Sequence, residues 1–170
     1  MKGNSSLVDL LNKNLADEFT AVHQYTTHAA IARNWGYDGL AHYFQARADE
    51  EMEHSRELID RILFLEYEPV VNILSEIKVA YEVPNQLAND RAAELAAIKS
   101  YNEAIELAVT VRDNSTRSLL EEILNDEIRH IDDIENYQQQ IRQMTLQIFL
   151  STQIIILKIK RLFDCYQKNN

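Results

Sequence analysis

Asp49-Glu50-Glu51-Met52-Glu53-His54 places a carboxylate and an imidazole three residues apart inside a long helical pattern. Residues at i and i+3 share a helix face, so Glu51 and His54 point the same way. The spacing returns as Glu127-Ile128-Arg129-His130, again within a run of about thirty residues that lacks Gly and Pro and carries apolar side chains at helical spacing. One such pair is ordinary on a Glu-rich helix and reads as solvated surface. A third residue changes that reading: Glu18 lies 33 residues before Glu51, and Glu94 lies 33 residues before Glu127. Glu94 follows Glu18 by 76 residues, and the same offset takes Leu11 to Leu87, Val22 to Ile98, Tyr25 to Tyr101, Asp38 to Asn114 and Leu58 to Ile134. Ligand-type and core-type positions recur together.

Such a repeat predicts two helical hairpins packed on one another, each offering a Glu from its first helix and Glu-x-x-His from its second. A four-helix bundle carrying Glu on two helices and Glu-x-x-His on the other two builds a carboxylate-bridged di-iron or di-manganese site. Four carboxylates and two imidazoles are hard-to-borderline donors, which suit iron or manganese and suit copper(I) poorly. The candidate metal ligands are therefore Glu18, Glu51, His54, Glu94, Glu127 and His130.

Composition sets the class. The chain has 170 residues, 46% hydrophobic and 26% charged, enough for one domain with a sizeable core. Three Gly and two Pro leave almost no turn chemistry for a sheet, so the class is all-α. A net charge of −10 argues against binding a phosphate backbone and favours cations as partners. Cys165 is the single cysteine, which precludes an intrachain disulfide and makes a reducing cytoplasm the expected compartment. Met1 to Ser6 lead straight into amphipathic helix, with no secretory pattern expected.

In chain order, Asn4 to Ser6 offer caps for a helix that runs to about Arg33, and Trp35-Gly36-Tyr37 breaks it. Asp38 is expected to cap a second helix, which continues through Glu66 until Pro69 ends it. Tyr67 to Tyr81 lack an amphipathic period and read as a long crossover along the bundle. A third helix starts near Pro84 and runs to about Arg112; Asn114, Ser115 or Thr116 caps a fourth that reaches about Met144. Residues 1–145 thus form the bundle, and 146–170 a short C-terminal helix and tail of the same domain. The apolar stretch Leu146 to Leu157 is too short to span a membrane. It fits an oligomer contact first, packing against its own bundle second and a membrane surface third.

These residues resemble the bacterioferritins, haem-containing members of the ferritin-like di-iron group. Met1-Lys2-Gly3, Asn34-Trp35-Gly36, Arg61 to Glu66, Glu51-Met52 with His54, and Asp126-Glu127 with His130-Ile131-Asp132 match that family without gaps, over Met1 to about Ile154. The resemblance implies a hollow shell of 24 subunits, alone or mixed with a second subunit type. It also implies that the chain oxidises Fe(II) with dioxygen or peroxide as a ferroxidase and stores the Fe(III) mineral, with a reducing partner for iron release. By the family's arrangement Glu18 and His54 hold one iron, Glu94 and His130 the other, and Glu51 and Glu127 bridge the pair. Tyr25 is implied beside the site as a redox or supporting residue, with Tyr101 as its repeat partner.

Met52 is implied as an axial ligand of haem b shared between two subunits, with Phe19, Thr26, Asp49 and Glu53 around that pocket. Asn34, Glu66 and Asp132 match positions of an iron-uptake channel between subunits, where Gln139 stands in place of an acidic residue. At an inner iron site of the family, Ala46 has no ligand to give and Glu50 offers a carboxylate. His23, His28 and His42 have no histidine repeat partners and read as structural or surface residues. A rubrerythrin-like enzyme would add a Cys-rich segment, which one cysteine excludes. A substrate oxygenase and a structural shell with an idle site are the remaining alternatives.

Overall fold

The computed structural model describes residues 2–154. Four long helices, α1 (Ser5–Asn34), α2 (Asp38–Phe64), α3 (Val83–Thr110) and α4 (Asn114–Met144), are followed by α5 over residues 146–154. α1 packs along α2 and α3 along α4, and the two hairpins meet chiefly through α1 and α3. No strand occurs among the described residues.

Helix ends follow local chemistry. Asn4 caps α1, its side chain accepting from the Leu7 amide at 3.0 Å. Three helices stop in the same way, each followed by a residue in the left-handed region: Gly36 at φ 80°, Glu66 at 65° and Arg112 at 61°. In each, the amide after that residue reaches back five positions, as from Tyr37 to the Ala32 carbonyl at 2.9 Å and from Tyr67 to Ile62 at 3.2 Å. Glu66 therefore lies beyond α2, which stops at Phe64 before Pro69 is reached. Asp38 is the first residue of α2 and makes no capping bond. The cap of α4 is Asp113, one residue ahead of the expected Asn114, accepting from the Thr116 amide at 3.0 Å and held by Arg61 at 2.7 Å.

The interior is apolar at both ends and polar in the middle. One cluster gathers Tyr25, Ala29, Phe44, Leu87, Ile134 and Phe149; the other gathers Leu11, Leu15, Leu58, Tyr101 and Leu120. On every long helix the ligand-type residues stand between the positions of these two clusters, as Glu18 stands between Leu15 and Ala21, and Glu127 between Ile123 and Ile134. The ligand-type residues thereby sit between two apolar clusters. Phe149 of α5 is fully buried in the first cluster, with Leu146 and Leu150 packed beside it. α5 seats against α2 closely enough that a Cβ on Gly39 would lie 2.7 Å from the Gln153 side chain. The described part of the C-terminal segment thus packs on its own bundle, while Ile148, 55% exposed, faces outward. Residues 155–157 of the predicted helix and the tail to 170 lie outside the described residues.

The long crossover, from Glu66 to Glu82, is tied to α1 at regular intervals. Asn12, Thr20, Gln24 and His28 accept the backbone amides of Val70, Ser75, Lys78 and Ala80 at 2.7 to 3.2 Å. These acceptors recur every four or eight residues, so one stripe of α1 satisfies backbone groups of a segment that has no ladder of its own.

Candidate metal centre

All six predicted ligands converge in the middle of the bundle, each at 5% exposure or less. Their donor atoms form two overlapping quartets: Glu18, Glu51, His54 and Glu127 in one, Glu51, Glu94, Glu127 and His130 in the other, the atoms of each lying within 4.8 Å of one another. Glu51 and Glu127 belong to both. The imidazoles stack with ring centroids 6.1 Å apart. His54 Nδ1 lies 3.0 Å from Glu51, 3.3 Å from Glu127 and 3.7 Å from Glu18. His130 Nδ1 lies 3.1 Å from Glu51 and 3.7 Å from both Glu94 and Glu127. Each Nδ1 faces more oxygens than one N–H can serve, and Glu51 Oε1, Glu127 Oε1 and His130 Nδ1 are buried with no hydrogen bond of proper geometry. Buried polar atoms left open in this way are suited to a cation.

The 76-residue offset extends beyond the ligands. The Tyr25 hydroxyl donates to Glu94 and the Tyr101 hydroxyl to Glu18, each half of the chain thus supporting a carboxylate of the other. Tyr25 is brought to the site as the family resemblance implied, and Tyr101 occupies an equivalent place. Glu50 and Asp126, also 76 residues apart, stand behind the histidines: Glu50 meets His130 Nε2 at 2.9 Å and Asp126 meets His54 Nε2 at 3.5 Å. An outer carboxylate at Nε2 leaves Nδ1 as the nitrogen available to a metal. The sequence reading missed this pairing, although the shared offset was visible. Glu50 is held by Arg47 at 2.9 Å and Arg129 at 3.3 Å, so its carboxylate is already engaged by two guanidinium groups.

Electrostatics divide the carboxylates. Burial raises Glu18 and Glu94 well above the usual range, with the charge of Glu51 adding to both. Burial opposes ionisation of Glu51 and Glu127 as well, yet the adjacent His130 and His54 imidazoles hold both below it. Burial also works against the imidazolium form, but Glu127 leads the carboxylates that raise His54 and push His130 up to about 12. Four carboxylates and two neutral imidazoles balance the charge of two divalent ions, so these residues fit a pair of divalent metals without stranding charge in the core.

The other singled-out residues lie apart. Met52 is half-buried on α2. Asn34, Glu66, Asp132 and Gln139 are all exposed. His23 and His42 are exposed, whereas His28 is fully buried against Asp90 at 3.1 Å.

Comparison with known proteins accords with this arrangement. Residues 8–144 match the ferritin-like domain family. A bacterioferritin of Streptomyces coelicolor is 34% identical over 91% of this chain and 92% of its own length. One from Brucella melitensis is 36% identical over 79% of this chain and 84% of its own length. This chain belongs to the bacterioferritin family. A bacterioferritin of Mycolicibacterium paratuberculosis, 31% identical, is matched over 94% of its length by 88% of this chain. The bacterioferritin likeness covers the whole bundle, and among the described residues no helix is long and apolar enough to cross a membrane.

Proposed function

We propose that the two quartets bind a pair of iron ions, with Glu18 and His54 holding one, Glu94 and His130 the other, and Glu51 and Glu127 bridging them. As a member of its family the chain is an iron-storage protein with ferroxidase-type chemistry. The observation that carries the assignment is the sharing of Glu51 and Glu127 between two otherwise separate sets of buried ligands. Fe(II) is the substrate, dioxygen or peroxide the oxidant, and the Fe(III) mineral the product kept inside a cytoplasmic shell of 24 subunits, from which a reducing partner releases it. Tyr25 orients Glu94 and, as a phenol in contact with a ligand, is placed to supply an electron or a proton. Haem b would take the Met52 thioether, which is partly exposed on α2, from each of two subunits.

Anaerobic Co(II) titration tests the site, with two ions per chain expected. Replacing Glu94 or His130 by Ala should abolish rapid Fe(II) oxidation while helical content stays. Unchanged oxidation in both variants would remove the assignment.

A further inference from the structure

Between α1 and α3, beneath the crossover, a cleft of about 260 Å3 leads to the carboxylates of the metal centre. Its rim is formed by the exposed residues Ser75, Glu76 and Lys78. Its walls are methyl groups: Ala21 on α1, and Ala93, Ala96 and Ala97 with a neighbouring alanine on α3. Thr20, Gln24 and Ser75, which also line it, have their polar atoms committed elsewhere. Thr20 Oγ1 donates to the Ala16 carbonyl at 2.7 Å and accepts the Ser75 amide at 2.7 Å. Gln24 accepts the Lys78 amide at 2.8 Å and donates to Asp90 at 2.7 Å. Ser75 Oγ donates to Asp17 at 2.6 Å. The floor is different. Glu18, Glu51, Glu94 and Glu127 line it, and one oxygen each of Glu51 and Glu127 lacks a hydrogen bond.

We propose that this cleft admits the oxidant, an uncharged dioxygen or hydrogen peroxide molecule, to the metal pair, and that Fe(II) does not travel through it. The proposal rests on the reading of the centre as a ferroxidase site. The outer carboxylates are already engaged, Asp17 by Ser75 at 2.6 Å and Glu76 by Lys78 at 3.3 Å, so a hydrated divalent cation would shed water against the methyl walls before it reached the floor, which is costly. Dioxygen is apolar and gives up nothing there, and hydrogen peroxide at least carries no charge. The Lys78 ammonium at the rim further disfavours a cation, although Glu76 partly offsets it at 3.3 Å. The redox balance is simple: two Fe(II) supply two electrons, which with two protons convert dioxygen to hydrogen peroxide, or hydrogen peroxide to two waters.

The test fills the cleft without touching a ligand. Ala93 and Ala96 are exposed on α3, so Ala93→Leu and Ala96→Leu project into open space from a helix that leucine favours. Full-length protein of each variant is loaded with Fe(II) without oxygen, then mixed rapidly with dioxygen at increasing concentration, with hydrogen peroxide as a parallel arm. Anaerobic Co(II) loading reports on metal access and on an intact centre. The expected result is a several-fold rise in the dioxygen concentration needed for half-maximal oxidation, with Co(II) loading unchanged. Slowing in the dioxygen arm alone assigns the cleft to dioxygen, and slowing in both arms assigns it to either oxidant. Slower Co(II) loading with unaltered oxidant dependence would make the cleft a metal road and overturn the proposal, as would unchanged kinetics in both variants. Failure of the unsubstituted protein to bind Co(II), seen before any oxidant is added, would remove the metal-centre reading and this proposal with it.

Discussion

At the residue scale the centre is held by contacts that cross from one half of the repeat to the other. Tyr25 serves Glu94, Tyr101 serves Glu18, Glu50 stands behind His130 and Asp126 behind His54. Neither hairpin could position its set alone, because the supporting groups of Glu18, His54, Glu94 and His130 lie on the opposite half. The proton inventory gives a direct prediction. His130, pushed up to about 12, and the raised His54 are charged at neutral pH when no metal is bound, and burial favours the protonated forms of Glu18 and Glu94. Metal ions must displace protons from the two imidazoles, so Co(II) affinity should climb between about pH 6 and pH 8 and loading should release acid. A weakly buffered titration that shows no acid release would contradict the assigned protonation states. For the metal-free fold the sign is opposite: a raised histidine stabilises fully below its ordinary value near 6.5 and loses that contribution as pH climbs toward about 12. Thermal midpoints of metal-free protein should therefore fall as pH rises from neutral, which calorimetry can check. Met52 offers a separate test. Met52→Leu should abolish bound haem, read from its absorption, without loss of assembly, and haem retained in that variant would exclude the thioether as ligand.

At the element scale α1 does two jobs, and they lie on adjoining faces. Glu18 and Tyr25 face the centre, while Asn12, Thr20, Gln24 and His28 hold the crossover by its backbone. His28 accepts the Ala80 amide at Nε2, so its Nδ1 carries the proton directed at Asp90. Both partners are fully buried. Asp90→Ala would leave His28 and Gln24 unpaired in the core, at a cost of about 3 kcal/mol. That corresponds to a drop in melting temperature of roughly 10 °C. Metal stoichiometry should be unchanged, and a variant that melts with the parent would refute the network. Much of this architecture was legible beforehand. The 76-residue offset picked out the six candidate ligands that the bundle brings together, and both hairpins, because ligand-type and core positions repeat together and helical periodicity is a strong local signal. What remained hidden depends on tertiary contact. The crossover has no periodicity, and its bonds to α1 join residues 52 to 58 positions apart. The end of α2 shifted from Glu66 to Phe64 because Glu66 adopts a left-handed conformation that local composition, lacking glycine there, does not announce. Likewise Asp113 took the cap of α4 from Asn114 because Arg61, on another helix, fixes its side chain.

At the scale of the whole molecule, the crossover leaves Val71, Ile73 and Leu74 between 44% and 57% exposed on an otherwise acidic chain, and α5 leaves Ile148 exposed at 55%. Apolar surface of this kind is suited to neighbouring subunits. α5 divides its residues between two roles: Phe149 sits fully buried in its own bundle, and Ile148, one position away, points outward. Removing everything after Met144 would therefore weaken both the fold and the shell, since the deletion takes away a core aromatic together with the surface residue. Single substitutions separate the two effects. Phe149→Ala should destabilise the chain by about 3 kcal/mol or more through the cavity it leaves, whatever the state of assembly. Ile148→Ser should leave chain stability within about 0.5 kcal/mol, because an exposed site carries little of the core. If copies of α5 meet through Ile148 as a dry plug that stabilises the shell, Ile148→Ser should lower the assembled fraction in light scattering while iron uptake per intact shell is unchanged. Full assembly of Ile148→Ser at the parent's thermal stability would assign α5 to its own bundle alone.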